Sequence, residues 1–516
     1  MAIDHENLLV TSLLLADAYP HEVNSKIIRI ETHISWVFLT DDFAYKIKKP
    51  IKNSFLDYST LALRKHYCEE ELRLNQRFAN EIYLDVVPLT SSNGSIRISG
   101  TGDPIDYAVR MRRFADDALL SQRVAHNLVH PDDVRALAAT IAKLHAQATI
   151  ADPSNRFGTP DLIYTEAVEN CRDIAEEKIP RTIEIVELLE HWTNRFFSEH
   201  ENQFWRRKQD GHIRECHGDL HLGNVALWNE KLLPFDGIEF CDDFRWIDTL
   251  SDAAFTAMDF AAYGRMDYCH SFVNAYFESS GDYSAVGLLQ WYLVYRAMVR
   301  AKVAALRSTQ TRATTPEHLA AEHDLDAMLD LAYRFTQWHS SKPQLWITYG
   351  LSGSGKTTGS EQVLQRHGAI RIRADVERKR LAGLQPHDRV AHCDDAAASL
   401  YSSDMTTATY HRMAELAGQL LREGTNVIVD ATFLLKWQRK IFKDIAHQLQ
   451  VPFRILAFHA DRSTLRQRVS TRISKNHDAS DADLEVLELQ LKSQQQLEPD
   501  ELEFIGNVHD SKEPRK

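Results

Sequence analysis

The stretch Leu345-Trp346-Ile347-Thr348-Tyr349-Gly350-Leu351-Ser352-Gly353-Ser354-Gly355-Lys356-Thr357-Thr358 constrains this chain more than any other. A short apolar strand runs into G-x-x-x-x-G-K-T, and a helical pattern follows. That order builds a phosphate-binding loop. Glycines at 350, 353 and 355 let the backbone curl so that its N–H groups point inward at phosphate oxygens. Lys356 reaches the β- and γ-phosphates, Thr357 offers a hydroxyl to Mg²⁺, and the following helix presents its positive end. Gly350, Gly353, Ser354, Gly355, Lys356, Thr357 and Thr358 are therefore the expected nucleotide-binding residues. A loop of this kind sits near the start of its domain, which places one domain over 343–516 and another over 1–340.

At 516 residues the chain is too long for one ordinary core. Its 44% hydrophobic and 26% charged residues are those of a soluble globular protein. No apolar run approaches the ~18–20 residues of a membrane span. The start, Met1-Ala2-Ile3-Asp4-His5-Glu6, is acidic where a secretion signal is basic, and Thr11 and Ser12 interrupt Leu8 to Leu15, so a first helix is expected. The cysteines at 68, 171, 216, 241, 269 and 393 form no C-x-x-C pair, which argues against zinc or a disulfide framework and fits a reducing cytoplasm. A formal charge of −13 weighs against coating nucleic acid and suits a small cationic substrate.

Residues 27–51 alternate like paired strands, with a turn at Asp41-Asp42 and an end at Pro50. Thr60 to Asn80 is helical, 85–89 and 107–111 return to strand, and Ser91-Ser92-Asn93-Gly94-Ser95 is a hairpin turn. Helical patterns dominate afterwards. Lys46 and Lys48 share one face of a strand. Glu71 shares its helix face with Tyr67, Leu74 and Phe78, so this carboxylate needs a cationic partner, and a strand lysine is the candidate. The competing reading is a solvated, lysine-rich strand end.

A more specific signal is His217-Gly218-Asp219-Leu220-His221-Leu222-Gly223-Asn224, followed by Leu233-Pro234-Phe235-Asp236-Gly237. Two acids and an amide converge if these segments are neighbouring loops. Asp219 would accept the proton of an attacking hydroxyl, and Asn224 and Asp236 would hold Mg²⁺ against ATP phosphates.

H-G-D-L-H-x-G-N with a downstream aspartate resembles the catalytic and metal loops of the aminoglycoside phosphotransferase family, relatives of the protein kinases. The resemblance covers roughly 25–305. It implies a two-lobed fold, with a β-rich nucleotide lobe over about 25–113 and a helical substrate lobe over about 114–340. It also implies that Lys46 is the phosphate-binding lysine, in preference to Lys48, that Glu71 is its helix partner, and that 107–113 form the hinge beside adenine. A departure is the lack of a clear G-x-G-x-x-G over the first hairpin.

In the second domain, 369–375 reads as a strand ending in Asp375, with Arg378 just beyond, both near the phosphate site at the strand C-terminal ends. Asn426-Val427-Ile428-Val429-Asp430 is the strand whose aspartate faces Mg²⁺. Ala431-Thr432 follow where many ATPase motors carry a water-orienting glutamate, which favours transfer to an acceptor. Arg468 and Arg472 lie four apart on one helix face, either as a solvated basic face or as a lid that clamps the phosphoryl group. The domain resembles small P-loop kinases of the gluconate kinase, zeta-toxin and polynucleotide kinase types. That resemblance implies a parallel sheet flanked by helices, with Asp375 as base to the acceptor hydroxyl and Arg378 orienting it.

The expectation is thus an α/β and α+β multidomain enzyme: two ATP- and Mg²⁺-dependent kinases in one chain, each moving the γ-phosphoryl group to a small-molecule hydroxyl. Two alternatives stand beside it. The P-loop domain could phosphorylate 5′-hydroxyl ends of nucleic acid, or the N-terminal domain could be a degenerate kinase that senses a nucleotide or partner.

Overall fold

The alternating segments near the N-terminus form β1 (Ile28–Glu31), β2 (Ser35–Leu39), β3 (Phe43–Lys48), β4 (Tyr83–Ser92), β5 (Ser95–Ile98) and β6 (Pro104–Arg112). They make an antiparallel sheet in the order β1-β2-β3-β6-β4-β5. This structure is a computed structural model that describes residues 2–53, 56–92, 94–340, 342–385, 388, 400–475 and 484–506, without the side chains of 2–5 and 472–475. Asn93 of the expected hairpin turn, Ser341, Cys393 and the Arg472 side chain lie outside the described residues.

The chain packs as two units, residues 1–167 with 199–259, and residues 168–198 with 260–516. In the first, the helix Leu61–Ala79 is inserted between β3 and β4, where Thr60 accepts the Leu63 N–H as its N-cap. Its buried face carries Arg64, Cys68, Glu71, Leu74 and Asn75, at helical spacing. Arg64 pairs with Asp106 of β6 at 2.8 Å. The helix is thus tied to the strand at the centre of the sheet. The resemblance placed the hinge at 107–113. Residues 107–112 lie inside β6, with 108–111 paired to both β3 and β4, and the chain leaves the sheet at Arg113.

Beyond the sheet, the first unit holds the helix Pro131–Gln147, most of the helix Thr249–Ala262 and two small antiparallel ribbons. One pairs β7 (Ile213–Glu215) with β10 (Trp246–Asp248), and the other pairs β8 (Val225–Trp228) with β9 (Lys231–Pro234).

In the second unit the helices Val286–Gln310 and Pro316–Phe335 pack together. A parallel sheet follows, of β11 (Leu345–Tyr349), β12 (Ile370–Arg373), β13 (Val427–Asp430), β14 (Phe453–Ala457) and β15 (Ile505–Gly506). Its order is β12-β13-β11-β14-β15, with every pairing parallel. All five residues of β11 are buried, as a central parallel strand requires. β12 stops at Arg373, so Asp375 does not end a strand. It sits in the first turn of the helix Ala374–Leu381, where a carboxylate meets the positive end of the peptide dipoles.

Candidate active sites

In the first unit β3 turns Lys46 and Lys48 toward the helix Leu61–Ala79, and both ammonium groups reach Glu71. Lys46 Nζ lies 2.9 Å from Glu71 Oε1 and Lys48 Nζ 2.7 Å from Oε2. Their remaining partners differ. Lys48, fully buried, also pairs with Glu239 and lies 3.4 Å from the Tyr58 hydroxyl, which itself bonds Glu239. Lys46 pairs with Asp236, whose side chain is 41% exposed. Lys48 therefore belongs to a sealed ion cluster, whereas Lys46, also buried, borders a carboxylate that opens to the surface. Burial alone would raise the Glu71 carboxyl, but the charges of Lys46 and Lys48 outweigh it and hold it down at about 2. Burial likewise opposes the Lys46 charge, and Asp236, Glu71 and Glu239 together hold its ammonium well above the ordinary lysine range. Glu239 escaped the sequence reading. The signal for it was physical: two buried lysines need more than one carboxylate.

The loop after β7 is fixed from beneath by Asp252 of the helix Thr249–Ala262. Its carboxylate accepts the N–H groups of His217 (3.0 Å) and Gly218 (2.9 Å) and bonds His145 Nε2 (3.1 Å). Gly218 has φ +87°, and a Cβ there would lie 2.5 Å from the Phe244 carbonyl oxygen, so only glycine fits. Burial pushes the His217 imidazole below its usual value and keeps it neutral. The Asp219 N–H points to Nδ1 at 3.3 Å, so the ring proton sits on Nε2 and is donated to the Phe235 carbonyl at 2.8 Å. Asn224 Nδ2 donates to the Asp219 carbonyl (2.9 Å) and to its carboxylate Oδ2 (3.1 Å). The β8–β9 ribbon, through the Phe235 N–H to Asn224 carbonyl bond of 2.9 Å, sets Asn224 beside the residue preceding Asp236.

Asp236 itself has φ +63°, a conformation aspartate tolerates better than most residues. Its N–H donates to the Tyr83 hydroxyl (3.1 Å), and the Gly237 N–H donates to Asn75 Oδ1 (2.8 Å). The helix that carries Glu71 thus also anchors the aspartate loop. Amide and carboxylate oxygens at 224 and 236 fit a hard cation such as Mg²⁺.

In the second unit a cavity of ≈ 510 Å³ opens at the C-terminal ends of the parallel strands. Gly353, Gly355, Lys356, Thr357 and Thr358 form one wall. Asp375, Arg378, Asp430 and Arg468 also line it. Gly350 and Ser354 stand behind this surface. Gly350 donates its N–H to the Thr432 carbonyl at 3.1 Å, and a Cβ on it would lie 2.5 Å from the Phe458 carbonyl oxygen. Ser354 Oγ is buried beneath the loop. Gly353 and Gly355 have φ +82° and +96°, the curl the motif requires. Lys356 Nζ bonds the carbonyls of Gly350 (3.0 Å) and Leu351 (2.9 Å) across the loop, and Arg468 Nη1 bonds the Gly353 carbonyl at 3.2 Å.

Asp430 ends β13, its two oxygens facing the hydroxyls of Thr348 (3.4 Å) and Ser360 (3.3 Å). Arg378 bonds Asp375 at 2.9 Å one turn along their helix, and its guanidinium lies over the Tyr401 ring, 4.9 Å from the centroid. The loop's inward-curled backbone, the lysine, and the Thr357 and Asp430 oxygens fit MgATP. Gln490, which belongs to no motif, accepts the Ser352 N–H at 2.9 Å.

Among known proteins, the Phosphotransferase enzyme family model matches residues 67–289 and the AAA domain model matches residues 345–497. The solved structures it is similar to include a choline/ethanolamine kinase family protein from Mesorhizobium loti (11% identity, 65% of this chain and 98% of that one, TM-score 0.38). Others are the amicoumacin kinase hAmiN in complex with AMP-PNP, Ca²⁺ and Ami (12%, 64% and 94%, 0.40) and a gluconokinase from Sinorhizobium meliloti 1021 (18%, 33% and 85%, 0.23). Two mycobacterial sequences, the uncharacterized protein Rv2004c of Mycobacterium tuberculosis H37Rv and the uncharacterized protein Mb2027c of Mycobacterium bovis, are each 30% identical over 470 residues, 90% of this chain and 90% of theirs. The chain is an ATP-dependent phosphotransferase with ATP and Mg²⁺ as its cofactors. Among the described residues no helix is long and apolar enough to cross a membrane. The chain belongs to one family with these mycobacterial proteins, and it joins an aminoglycoside phosphotransferase-like kinase domain to a small P-loop kinase domain.

Proposed function

We propose that the chain is a bifunctional kinase, with domains over 1–340 and 343–516 that each transfer the γ-phosphoryl group of ATP to the hydroxyl of a small molecule. The observation that supports this reading is that each unit has its own lysine and its own acidic residues on neighbouring segments, as a phosphate grip, a metal site and a base would require. These are Lys46, Asp219 and Asp236 in the first, and Lys356, Asp375 and Asp430 in the second.

At the first site Lys46, held by Glu71, grips the phosphates, Asn224 and Asp236 hold Mg²⁺, and Asp219 takes the proton of the attacking hydroxyl. At the second, the loop 350–358 and Lys356 hold the phosphates, and Thr357 and Asp430 hold Mg²⁺. Asp375 is the base that Arg378 orients there, and Arg468 with Arg472 neutralises charge on the transferring group. When bound, Mg²⁺ draws charge from the phosphate oxygens. The residues do the rest by positioning. Among the described residues the cysteines at 68, 171, 216, 241 and 269 form no disulfide, which supports a reducing, cytoplasmic setting.

The test is label transfer from γ-labelled ATP to a panel of sugars, amino alcohols, aminoglycosides and hydroxyl-terminated oligonucleotides, using wild type, Asp219→Asn and Lys356→Ala. Each substitution is expected to remove one labelled product and spare the other. If either one removes every product, the two sites are not independent. A labelled oligonucleotide would move the second domain to nucleic-acid ends.

A further inference from the structure

β12 and the helix Ala374–Leu381, which carry the approach to Asp375 and Arg378, are held by a segment far outside the P-loop sequence. β12 is an edge strand whose inner neighbour is β13, so alternate N–H groups face away from the sheet. One of these, on the buried Arg371, donates to Asn274 Oδ1 at 2.7 Å. Two residues on, Arg373 Nη1 lies 3.2 Å from Glu278 Oε1. Past the site residues, Arg380 Nη2 donates to the Glu278 carbonyl at 2.7 Å, at the negative end of the helix Met266–Ser280. Gly281 closes that helix with φ +74°, and a Cβ there would come within 2.8 Å of Arg380 Nε, so glycine lets the arginine in.

Asn274 and Glu278 are one turn apart and share a helix face. The same helix reaches the loop side more loosely. Ser271 Oγ bonds Glu361 at 3.1 Å, Glu361 pairs with Arg371 at 3.1 Å, and Arg371 Nη1 bonds the Thr357 carbonyl at 3.2 Å. Anchors at 371, 373 and 380 therefore bracket Asp375 and Arg378, and Arg373 lines the same cavity. A base displaced by ~1 Å from its acceptor loses on the order of a hundredfold in rate, so these anchors matter to chemistry and not only to packing.

We propose that Asn274 and Glu278 are positioning residues of the P-loop site: they set the strand edge and helix that present Asp375 and Arg378 to the acceptor. The triphosphate grip is built on the central strands, and this helix reaches it through the longer relay of Ser271, Glu361 and Arg371. The helix Met266–Ser280 lies in the stretch matched by the phosphotransferase model, so part of the second site is supplied by sequence that precedes its own domain. The inference rests on the reading of 343–516 as a phosphotransferase.

The experiment uses the full chain with Glu278→Gln, Asn274→Ala and Asn274→Asp, the last of which keeps an oxygen to accept the Arg371 N–H. Amide hydrogen exchange over 371–382 should rise about tenfold in Glu278→Gln and Asn274→Ala, while protection of 350–358 by Mg²⁺ and AMP-PNP stays unchanged. Lys356-dependent phosphoryl transfer should lose about tenfold in kcat in these two variants with KM for ATP held within about twofold, and Asn274→Asp should recover both readouts. Unaltered exchange at 371–382 overturns the proposal. So does an even rise across 345–457, which marks simple packing, or an Asn274→Asp variant as impaired as Asn274→Ala. If instead no transfer depends on Lys356, the phosphotransferase reading falls, while the exchange data still report on the anchoring.

Discussion

Lys46 of β3 pairs directly with Asp236, 190 positions further along the chain. The contact joins the expected phosphate lysine to the expected metal carboxylate, so each neutralises the other before a nucleotide arrives. Lys48, two residues away, has none of this character: it is sealed with Glu71, Glu239 and Tyr58.

The two lysines should therefore fail in different ways. Lys46→Met is expected to remove first-site transfer by a factor of about 100 or more while lowering the unfolding midpoint less than Lys48→Met does, since the buried Glu71 keeps Lys48 as a partner. Lys48→Met leaves Glu71 and Glu239 short of a buried cation and should destabilise the fold by about 3 kcal/mol or more. Denaturant melts run beside label transfer separate the two outcomes.

Glu71 gives the first unit an acid limit. Its folded carboxyl is held at about 2, below its unfolded value, so its contribution is complete above about pH 4.5 and is lost as pH falls toward 2. The stability gap between wild type and Glu71→Gln is expected to be widest at neutral pH and to shrink below pH ~4. Urea melts from pH 7 to pH 3 measure it.

Glu423, after the helix Ser403–Arg422, has the opposite sign. Burial pushes its carboxyl up to about 7, so the fold binds a proton that the unfolded chain has released. Its penalty is absent below about pH 4.5, grows as pH rises toward 7 and is complete above it. Glu423→Gln should stabilise the protein at pH 8 by on the order of 1–3 kcal/mol and leave it unchanged near pH 4, read as a shift in denaturation midpoint.

Gly218→Ala tests the loop that presents Asp219. The added Cβ would lie 2.5 Å from the Phe244 carbonyl oxygen in a left-handed conformation, so the backbone must move. A loss of about 2 kcal/mol in stability, with first-site transfer reduced more than second-site transfer, is the expected result.

Asp375→Asn should cut second-site transfer by about 10²–10⁴ while Mg²⁺ and AMP-PNP still protect 350–358 from hydrogen exchange. Loss of that protection would make Asp375 part of the nucleotide grip and not the base.

Short-range pattern in the sequence was enough for the strands around the phosphate loop, the helix from Thr60, the H-G-D loop and the aspartate ending Val427–Asp430, because periodicity, glycine curl and capping act over a few residues. The same locality explains what it left open. Lys46 and Lys48 are equivalent by alternation, and only Glu239 and Asp236, some 190 positions away, separate a sealed ion from one that borders a half-exposed carboxylate. Asp375 reads as the end of a strand until the helix after Arg373 claims it. Asp252 under the H-G-D loop and Asn274 against β12 carry no motif, since their role is to satisfy backbone N–H groups that folding buries, and which groups those are is decided by tertiary packing.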